Sequence, residues 1–261
     1  MKPSSVLAVS IALLLAAAPA RADLEQLKAR GALRVVIAQD ERAETYNPGA
    51  TGEPGIEREL LQFFAGRQGL ALETVTVKGY AERITALVEG QGDLIAAIFD
   101  TPERRERVAF TVELMPTYNV AVSVPPRPPV ASLALLRKER LGVVAGTATL
   151  DDVVAAGVPR SSLVPFERFE ALVEALEKGS LGTAVMPVSE FALGTRQHPR
   201  LQAGVTVGPV GSVAWAVRKE DRQLLAALDE HLQAARRAGT WNRLVVKYFG
   251  DRALEVLGRR K

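Results

Sequence analysis

Apolar residues along the chain fall into two alternating patterns, short continuous runs and longer stretches with helical spacing. Residues 32–39 form a mostly apolar run that is typical of a buried parallel strand. Residues 56–70 and 80–92 place apolar side chains at intervals of three and four, which predicts helices, and residues 94–99 form a second apolar run. Strands that alternate with helices in this way predict an α/β fold with a largely parallel sheet.

The same order of elements returns after a proline-rich connector at residues 124–140. The stretches ITALVEGQGDLIAAI (residues 84–98) and FEALVEALEKGSLGTAVM (residues 169–186) each predict a helix, a glycine turn and an apolar strand. Residues 213–249 then predict a strand and two helices whose apolar stripes belong to a core. Two similar lobes are the natural interpretation of this pattern.

The first residues of the chain differ from the rest and match a secretory leader. Lys2 precedes an apolar run at residues 6–18, and the tripeptide ARA that follows soon after is a small-x-small cleavage pattern. We therefore expect a signal peptide at residues 1–22 and a mature protein in the periplasm. The sequence contains no cysteine, so we expect no lipid anchor.

Charge and residue chemistry argue against several classes of function. The formal net charge of +3 includes Lys2 and Arg21 of the leader, which leaves a nearly neutral mature chain and no support for nucleic-acid binding. The lack of cysteine excludes disulfides and a thiol nucleophile. His198 and His231 have no sequence neighbours that suggest a metal site or a triad. We expect no catalytic residue, no metal and no cofactor.

One short segment combines helix-start signals with a high density of charge. In DTPERRERVAFT (residues 100–111), Thr101 is a plausible N-cap ahead of a proline and a glutamate. Arg104 would then lie in the first turn, where the helix macrodipole disfavours a cation. A bound carboxylate, held by the guanidinium and by backbone N–H groups, would remove this conflict. The alternative is a solvated surface charge, which we expect for Arg105 and Arg107.

Seven segments occur in order along the mature chain: ALRVVI, GIERELLQFFA, ITALVEGQGDLIAA, TPERRERVAFT, LGVVAGTAT, AWAVRKED and GTWNRLVVKYFG. In this order they resemble the family 3 extracellular (periplasmic) solute-binding proteins. TYNP, GDLIAA and AWAVRK are closest to the binding module of lytic murein transglycosylases. The resemblance implies a two-lobed type II periplasmic-binding fold of the α/β class. Each lobe would be a mostly parallel sheet flanked by helices, with a ligand cleft between the lobes.

The resemblance also implies how the chain is divided between the lobes. The first lobe would comprise residues 23–116, and the second lobe would comprise residues 117–211. Residues 212–261 would return to the first lobe and end in C-terminal helices. Hinge closure around a solute is typical of such an architecture.

Arg104 matches the arginine that holds the ligand's α-carboxylate in this family. The chain departs from the family in the segment between the strand and Thr101. This chain reads Phe99 and Asp100 where relatives have a small hydroxyl residue and a glycine, and the segment is one residue shorter. Asp100 either pairs with Arg104 or faces a cationic part of the ligand. We expect Phe99, Asp100, Thr101 and Arg104 to belong to the ligand site.

Further candidates lie in three other loops. Tyr46, in TYNP, matches a loop that sets an aromatic wall against the ligand, or else is an exposed turn residue. Gly146 and Thr147 lie between a strand and a helix, so they form either an anion pocket or a plain capping turn. Pro187 stands where amino-acid receptors have an aspartate for the α-ammonium group. Ser189 either replaces that partner or caps the next helix.

The leading hypothesis is a monomeric periplasmic protein, not an enzyme, that binds a small polar solute. The solute would be an amino acid or a related carboxylate, delivered to the permease of an inner-membrane ABC transporter. One alternative is a sensory or regulatory ligand-binding module linked to cell-wall metabolism. Another is a dehydratase of the cyclohexadienyl or prephenate type on the same fold, with Asp100 and Glu190 as its candidate acids.

Overall fold

Helices and strands alternate along residues 24–257, which are the residues that the computed structural model describes. The first half contains α1 Leu24–Arg30, β1 Ala32–Ala38, α2 Ile56–Gln68, β2 Ala71–Val77, α3 Arg83–Val88, β3 Leu94–Phe99, α4 Pro102–Arg105, β4 Ala109–Phe110 and β5 Met115–Ser123. The second half contains α5 Leu133–Leu136, β6 Leu141–Val144, α6 Ala148–Ala155, β7 Leu163–Phe166, α7 Phe169–Glu177, β8 Thr183–Pro187, α8 Val188–Gln197, β9 Gln202–Val217, α9 Arg222–Arg237, α10 Thr240–Phe249 and α11 Ala253–Leu257. The predicted signal peptide lies outside the described residues.

The strands form one curled mixed sheet in the order β2-β1-β3-β9-β5-β8-β6-β7, with β4 paired to β9. In the first lobe, β1 runs parallel to β2 and β3. In the second lobe, β6 runs parallel to β7 and β8. The antiparallel pair β5–β9 joins the two parallel sets. The predicted two-lobed α/β fold is thereby confirmed, with parallel pairing among β1, β2 and β3 and among β6, β7 and β8.

The long strands β5 and β9 are the two segments that pass from one lobe to the other. β9 pairs antiparallel with β5 and then with β3, so it continues from the second lobe into the first. The expected division of the chain falls inside these strands, because Pro116 pairs with Ser212 and Thr117 pairs with Gly211. The boundaries themselves stay a prediction.

The C-terminal helices pack on the first lobe through the stripes that the sequence predicts. Leu224, Leu228 and Leu232 of α9 are buried, and so is Trp241 of α10. His231 lies on the same buried face, with Nε2 3.0 Å from the Leu60 carbonyl oxygen. The interpretation of these stripes as core is confirmed.

Residues 80–92 differ in detail from the predicted helix. They begin with a 3₁₀ turn at Tyr80–Glu82, and α3 ends at Val88. Ile84 and Leu87 are buried as expected, whereas Val88 is 43% exposed. One residue turns a helix by about 100°, so Val88 leaves the buried face that Leu87 occupies. None of the helices within residues 24–257 has the length and the apolar character needed to cross a membrane.

Candidate functional site

A cavity lies between the two lobes, where the loops after β1, β3, β6 and β8 meet. In open parallel sheets, ligands bind at these carboxyl ends of the strands. The cavity leaves about 70 Å³ for the centres of water-sized molecules, which is room for several waters or a small solute. From the first lobe, its wall includes Glu41, Glu57, Tyr80, Arg83, Phe99 and Arg104. From the second lobe, it includes Thr147, Phe169, Pro187, Ser189 and Glu190.

The two lobes touch each other around this cavity. The rings of Tyr80 and Phe169 meet edge to face, with centroids 6.1 Å apart. Arg42, in the loop after β1, donates from Nε to Oε2 of Glu190 in α8. Both partners of this ion pair are almost fully buried. The structure therefore represents a closed arrangement of the lobes.

Arg104 lines the cavity, and its helix begins as the sequence predicts. Thr101 Oγ1 accepts a hydrogen bond from the Arg104 backbone N–H (3.3 Å), so Thr101 caps α4. The guanidinium donates from Nη1 to the Phe99 carbonyl oxygen (2.9 Å). Among residues 24–257, no carboxylate forms an ion pair with Arg104. Burial and the nearby Arg83 lower the pKa of Arg104 to about 10, so it stays charged at neutral pH.

Asp100 pairs with Arg105 and not with Arg104. Arg105 donates from Nε to Asp100 Oδ1 (2.6 Å) and from Nη2 to Oδ2. The idea that Asp100 neutralises Arg104 is wrong, because the exposed neighbour engages both carboxylate oxygens. Asp100 and Thr101 line a second cavity beside the first, whereas Phe99 and Arg104 line both.

Gly146 and Thr147 lie in the loop between β6 and α6. Thr147 lines the cavity, and its Oγ1 donates to the Val144 carbonyl oxygen (2.7 Å). Gly146 has a φ of 73°, and a Cβ placed there would lie 2.9 Å from the backbone N of Ala81 in the first lobe. Gly146 is therefore a point of close contact between the lobes, next to the cavity wall.

The start of α8 supplies part of the second-lobe wall of the cavity. The helix begins at Val188, with Pro187 as its N-cap residue and no side-chain cap. The interpretation of Ser189 as a cap is wrong, because Ser189 is already inside the helix and its side chain lines the cavity. Burial raises the pKa of Glu190, although Arg42 beside it opposes that shift.

Tyr46 does not form an aromatic wall at the cavity. Its side chain is fully buried in the first-lobe core, and its Oη lies 3.2 Å from Thr74 Oγ1. The end of its loop is held to the core by a hydrogen bond from the Gly55 N–H to Tyr248 Oη (3.1 Å). The prediction for Tyr46 is therefore wrong. The aromatic residues that line the cavity are Tyr80, Phe99, Phe169 and Phe249.

Sequence reasoning missed a polar group of the cavity wall that is centred on Arg83. The Arg83 guanidinium donates from Nη1 to the carbonyl oxygens of Ala96 (3.1 Å) and Ala97 (3.3 Å). It lies 4.9 Å from the centroid of the Tyr80 ring, and its Nη1 is 3.6 Å from Glu41 Oε2. Burial raises the pKa of Glu41 to about 7, although Arg83 opposes this shift.

Glu57 was also missed, and it lies where the cavity meets the first-lobe core. Its Oε2 accepts a hydrogen bond from Trp215 Nε1. Burial is the main cause that raises the pKa of Glu57 to about 8. The described residues hold no group of three His, Asp or Glu side chains that could bind a metal ion. The cavity instead combines guanidinium, carboxyl and aromatic groups, which suits a small organic ligand with a carboxylate.

Comparison with known proteins places these observations in a family. The model of the bacterial extracellular solute-binding proteins, family 3, matches residues 33–251. The chain is 28% identical over 267 residues to a membrane-bound lytic murein transglycosylase F from Ectopseudomonas mendocina (strain ymp). The aligned region covers 98% of this chain and 54% of that protein. The chain thus spans about half the length of the curated relatives it matches.

Two solved structures resemble the fold closely. An ancestral amino acid-binding protein, described as a precursor of cyclohexadienyl dehydratase, has a TM-score of 0.78 at 21% identity over 87% of this chain and 99% of that chain. A mutant of ArgBP from T. maritima has a TM-score of 0.77 at 23% identity, again over 87% of this chain and 99% of that chain. At these identities the similarity establishes the fold.

Proposed function

The chain belongs to the bacterial extracellular solute-binding proteins of family 3, and on that premise we propose that it binds a small carboxylate-bearing solute between its lobes. The observation that carries the proposal is Arg104, a partly buried guanidinium on the cavity wall that forms no ion pair with a carboxylate among the described residues, although Asp151 and Glu103 act on it from farther away. Its hydrogen bond to the Phe99 carbonyl oxygen orients the group but leaves its charge in place. A ligand carboxylate would supply the missing charge and accept two parallel hydrogen bonds.

The guanidiniums of the site, rather than the end of α4, provide the attraction for an anion. α4 has only four residues, so its dipole is small. Arg83 lies close enough to lower the pKa of Arg104 by charge repulsion. An anion between the lobes would relieve this repulsion, and a neutral solute would not. These electrostatics favour an amino acid or a related acid as the ligand.

We propose a periplasmic receptor that delivers its ligand to the permease of an ABC transporter. The family of extracellular solute-binding proteins supports this role, as does the likeness to an amino acid-binding protein. We propose binding without turnover, because the candidate acids of a dehydratase are engaged elsewhere. Asp100 is paired with Arg105 and Glu190 is paired with Arg42.

A second candidate role is that of a ligand-binding module that regulates a cell-wall enzyme. The observation in its favour is that the matched curated relatives are lytic murein transglycosylases about twice the length of this chain. In this role the ligand would be a fragment of the cell wall that also carries a carboxylate. The nature of the ligand therefore distinguishes the two roles.

A thermal-shift screen of the purified protein tests the proposal. The panel comprises the L-amino acids, small mono- and dicarboxylic acids, and muropeptide fragments. A ligand at 100 times its Kd should raise the free energy of unfolding by about 2.7 kcal/mol. We expect a shift with amino acids or related acids, whereas a shift with muropeptides alone would favour the regulatory module. If no carboxylate raises the melting temperature, the proposed function is wrong.

A further inference from the structure

Buried polar atoms without a hydrogen-bond partner gather at the wall of the cavity. Within residues 24–257 they include Glu41 Oε2, Glu57 Oε1, Tyr80 Oη and Arg83 Nε, and all four residues line the cavity. Native proteins leave few buried polar atoms unpaired, because each one has given up its hydrogen bonds with water. Such a group of atoms on one wall indicates a ligand that supplies the partners.

We infer that Glu41, assisted by the Tyr80 hydroxyl, binds a positively charged amino group of the ligand while Arg104 binds its carboxylate. This inference rests on the proposed function and narrows it, because the preferred ligand becomes a zwitterion such as an amino acid. It also assigns the ammonium partner to the loop after β1 in the first lobe. In the second lobe, Pro187 offers no side-chain acceptor at the cavity.

The position of Glu41 leaves one carboxylate oxygen available to a ligand. Its side chain is 6% exposed, and Oε2 lies 3.6 Å from Arg83 Nη1, which is too long for a hydrogen bond. That Nη1 instead donates to the carbonyl oxygens of Ala96 and Ala97. Glu41 Oε2 can therefore accept a charge-assisted hydrogen bond from an ammonium group in the cavity.

The other two carboxyl groups of the wall are less suited to a cation. Glu190 accepts a hydrogen bond from Arg42, and this ion pair joins the lobes. Glu57 accepts a hydrogen bond from Trp215 Nε1 through Oε2, and its Oε1 has no hydrogen-bond partner among the described residues. Burial raises the pKa of Glu57 to about 8, so it is mostly protonated at neutral pH. Glu41 is therefore the carboxyl group of the wall that is best placed to bind a cation.

The charged groups around Glu41 give the binding a defined pH dependence. Arg83 faces it from α3, Glu190 from α8, Glu170 from α7 and Glu57 from α2. Burial raises the pKa of Glu41 to about 7, Arg83 opposes this shift, and Glu190 and Glu170 add to it. A ligand cation would lower this pKa, so binding below pH 7 releases a proton. The affinity for a zwitterion should thus fall as the pH is lowered from 8 to 6.

Matched pairs of probes separate the two ends of the site. L-Alanine and L-lactate form one pair, and L-phenylalanine and L-3-phenyllactate form another. Within each pair the carboxylate is kept and the ammonium group is replaced by a hydroxyl. Isothermal titration calorimetry at pH 8 and pH 6 measures the affinities of the wild type, Glu41→Gln and Asp40→Asn. Asp40 is the control, because it carries the same charge one residue away and does not line the cavity.

We expect Glu41→Gln to weaken amino-acid binding by at least about tenfold and hydroxy-acid binding by less than about twofold. Most of the loss of amino-acid affinity between pH 8 and pH 6 should disappear in this variant, and the remainder should reflect Glu57, which also titrates in this range. Asp40→Asn should change neither affinity. Tyr80→Phe removes only the hydroxyl and should weaken amino-acid binding by about threefold to tenfold, which keeps the test available if Glu41→Gln does not fold.

Two results would overturn the inference. One is an equal loss for both members of a pair in Glu41→Gln. The other is a wild type that binds amino acids no better than hydroxy acids, or binds none of the four probes. The variant Arg104→Ala tests the proposed function separately from the role of Glu41. If the proposed function is right, Arg104→Ala should weaken the binding of both the amino acid and the hydroxy acid of a pair. Carboxylate binding that depends on Arg104 but not on Glu41 would leave the proposed function intact and refute the role of Glu41.

Discussion

Replacement of Arg104 by alanine should abolish most ligand binding without lowering the stability of the empty protein. The guanidinium makes one hydrogen bond in the described residues, to the Phe99 carbonyl oxygen, and no ion pair with a carboxylate. Its folded-state pKa is lowered by burial and by Arg83. A lowered pKa for a base means that folding disfavours its charged form. Removal of the charge therefore offsets the loss of the hydrogen bond.

The same substitution should lower the ligand affinity strongly. Truncation of one partner of a buried, hydrogen-bonded ion pair costs about 2–5 kcal/mol, which corresponds to roughly thirtyfold to several-thousandfold in Kd. Arg104→Lys should recover only part of this loss, because an ammonium group keeps the charge but not the planar pair of donors. Calorimetry with the ligand class returned by the screen gives the affinities, and thermal unfolding without ligand gives the stability.

Arg105→Ala is the matched control for Arg104→Ala. It also removes an arginine from α4, but the Arg105 side chain is 61% exposed, and its ion pair with Asp100, which is 12% exposed, is open to water on the arginine side. Surface ion pairs contribute about 0–1 kcal/mol to stability, so a small loss of melting temperature with unchanged affinity is expected. If Arg104→Ala lowers the melting temperature and leaves the affinity unchanged, Arg104 is a structural residue and the reasoning is refuted.

Two further predictions concern closure and pH. Gly146→Ala would place a Cβ 2.9 Å from the Ala81 backbone N, so it should weaken ligand binding by hindering closure. Gly179→Ala, at a φ of 70° with nothing within 4 Å, shares only the backbone strain and should leave affinity unchanged; equal calorimetric effects of the two variants would contradict this role for Gly146. Burial raises the pKa of Glu57 from 4.5 to about 8, so the folded protein keeps a proton that the unfolded chain releases. Stability should therefore fall as the pH rises from 4.5 to 8, by at most about 1.4 kcal/mol per pH unit from this group. Glu57→Gln, which keeps an acceptor for Trp215, should lose that part of the slope in denaturant unfolding at pH 5 and pH 8, and an unchanged slope would show that Glu57 does not titrate there.

Local chemistry made the segment around Arg104 predictable. The N-cap at Thr101 depends on a side-chain oxygen three residues before the N–H that it accepts, so the sequence alone contains both partners. The apolar runs of β1 and β3 were predictable for a similar reason, since burial on both faces requires apolar residues throughout. The choice of partner for Asp100 was not predictable, because Arg104 and Arg105 are both within reach in sequence. The orientation of α4 decides between them.

The polar wall of the cavity depends on contacts between distant parts of the chain. Arg83 and Glu41 are brought together by the packing of α3 on β1, and Glu190 meets Arg42 across 148 residues. A signal was nevertheless present for Glu57, which shares the apolar helical face with residues three, four and seven positions later. A charged residue on such a face is buried only when it has a partner or a function.

Tyr46 and the first half of β9 show why loops and exposed strands were harder to predict. The TYNP motif is typical of a turn, and whether its tyrosine faces water or the core depends on the packing of residues far away in sequence. Residues 202–211 of β9 are mostly exposed or half-buried and lack a clear alternation. Their strand conformation follows from pairing with β5, which is a long-range partner.

The end of β3 holds both guanidiniums of the cavity through carbonyl oxygens. Arg83 donates to Ala96 and Ala97, and Arg104 donates to Phe99. Ala97 has a φ of 42°, a left-handed conformation that is unfavourable for a residue with a side chain, and the pairing of β3 with β9 shifts register there. A carbonyl dipole orients a guanidinium but does not cancel its charge; Arg83 has Glu41 Oε2 3.6 Å from its Nη1, whereas Arg104 forms no ion pair with a carboxylate in the described residues. The strained strand end therefore holds two cations beside one cavity, and an anionic ligand at Arg104, as proposed, would relieve their repulsion. Because that relief would be present only with the ligand bound, it would favour the closed, occupied state over the empty one.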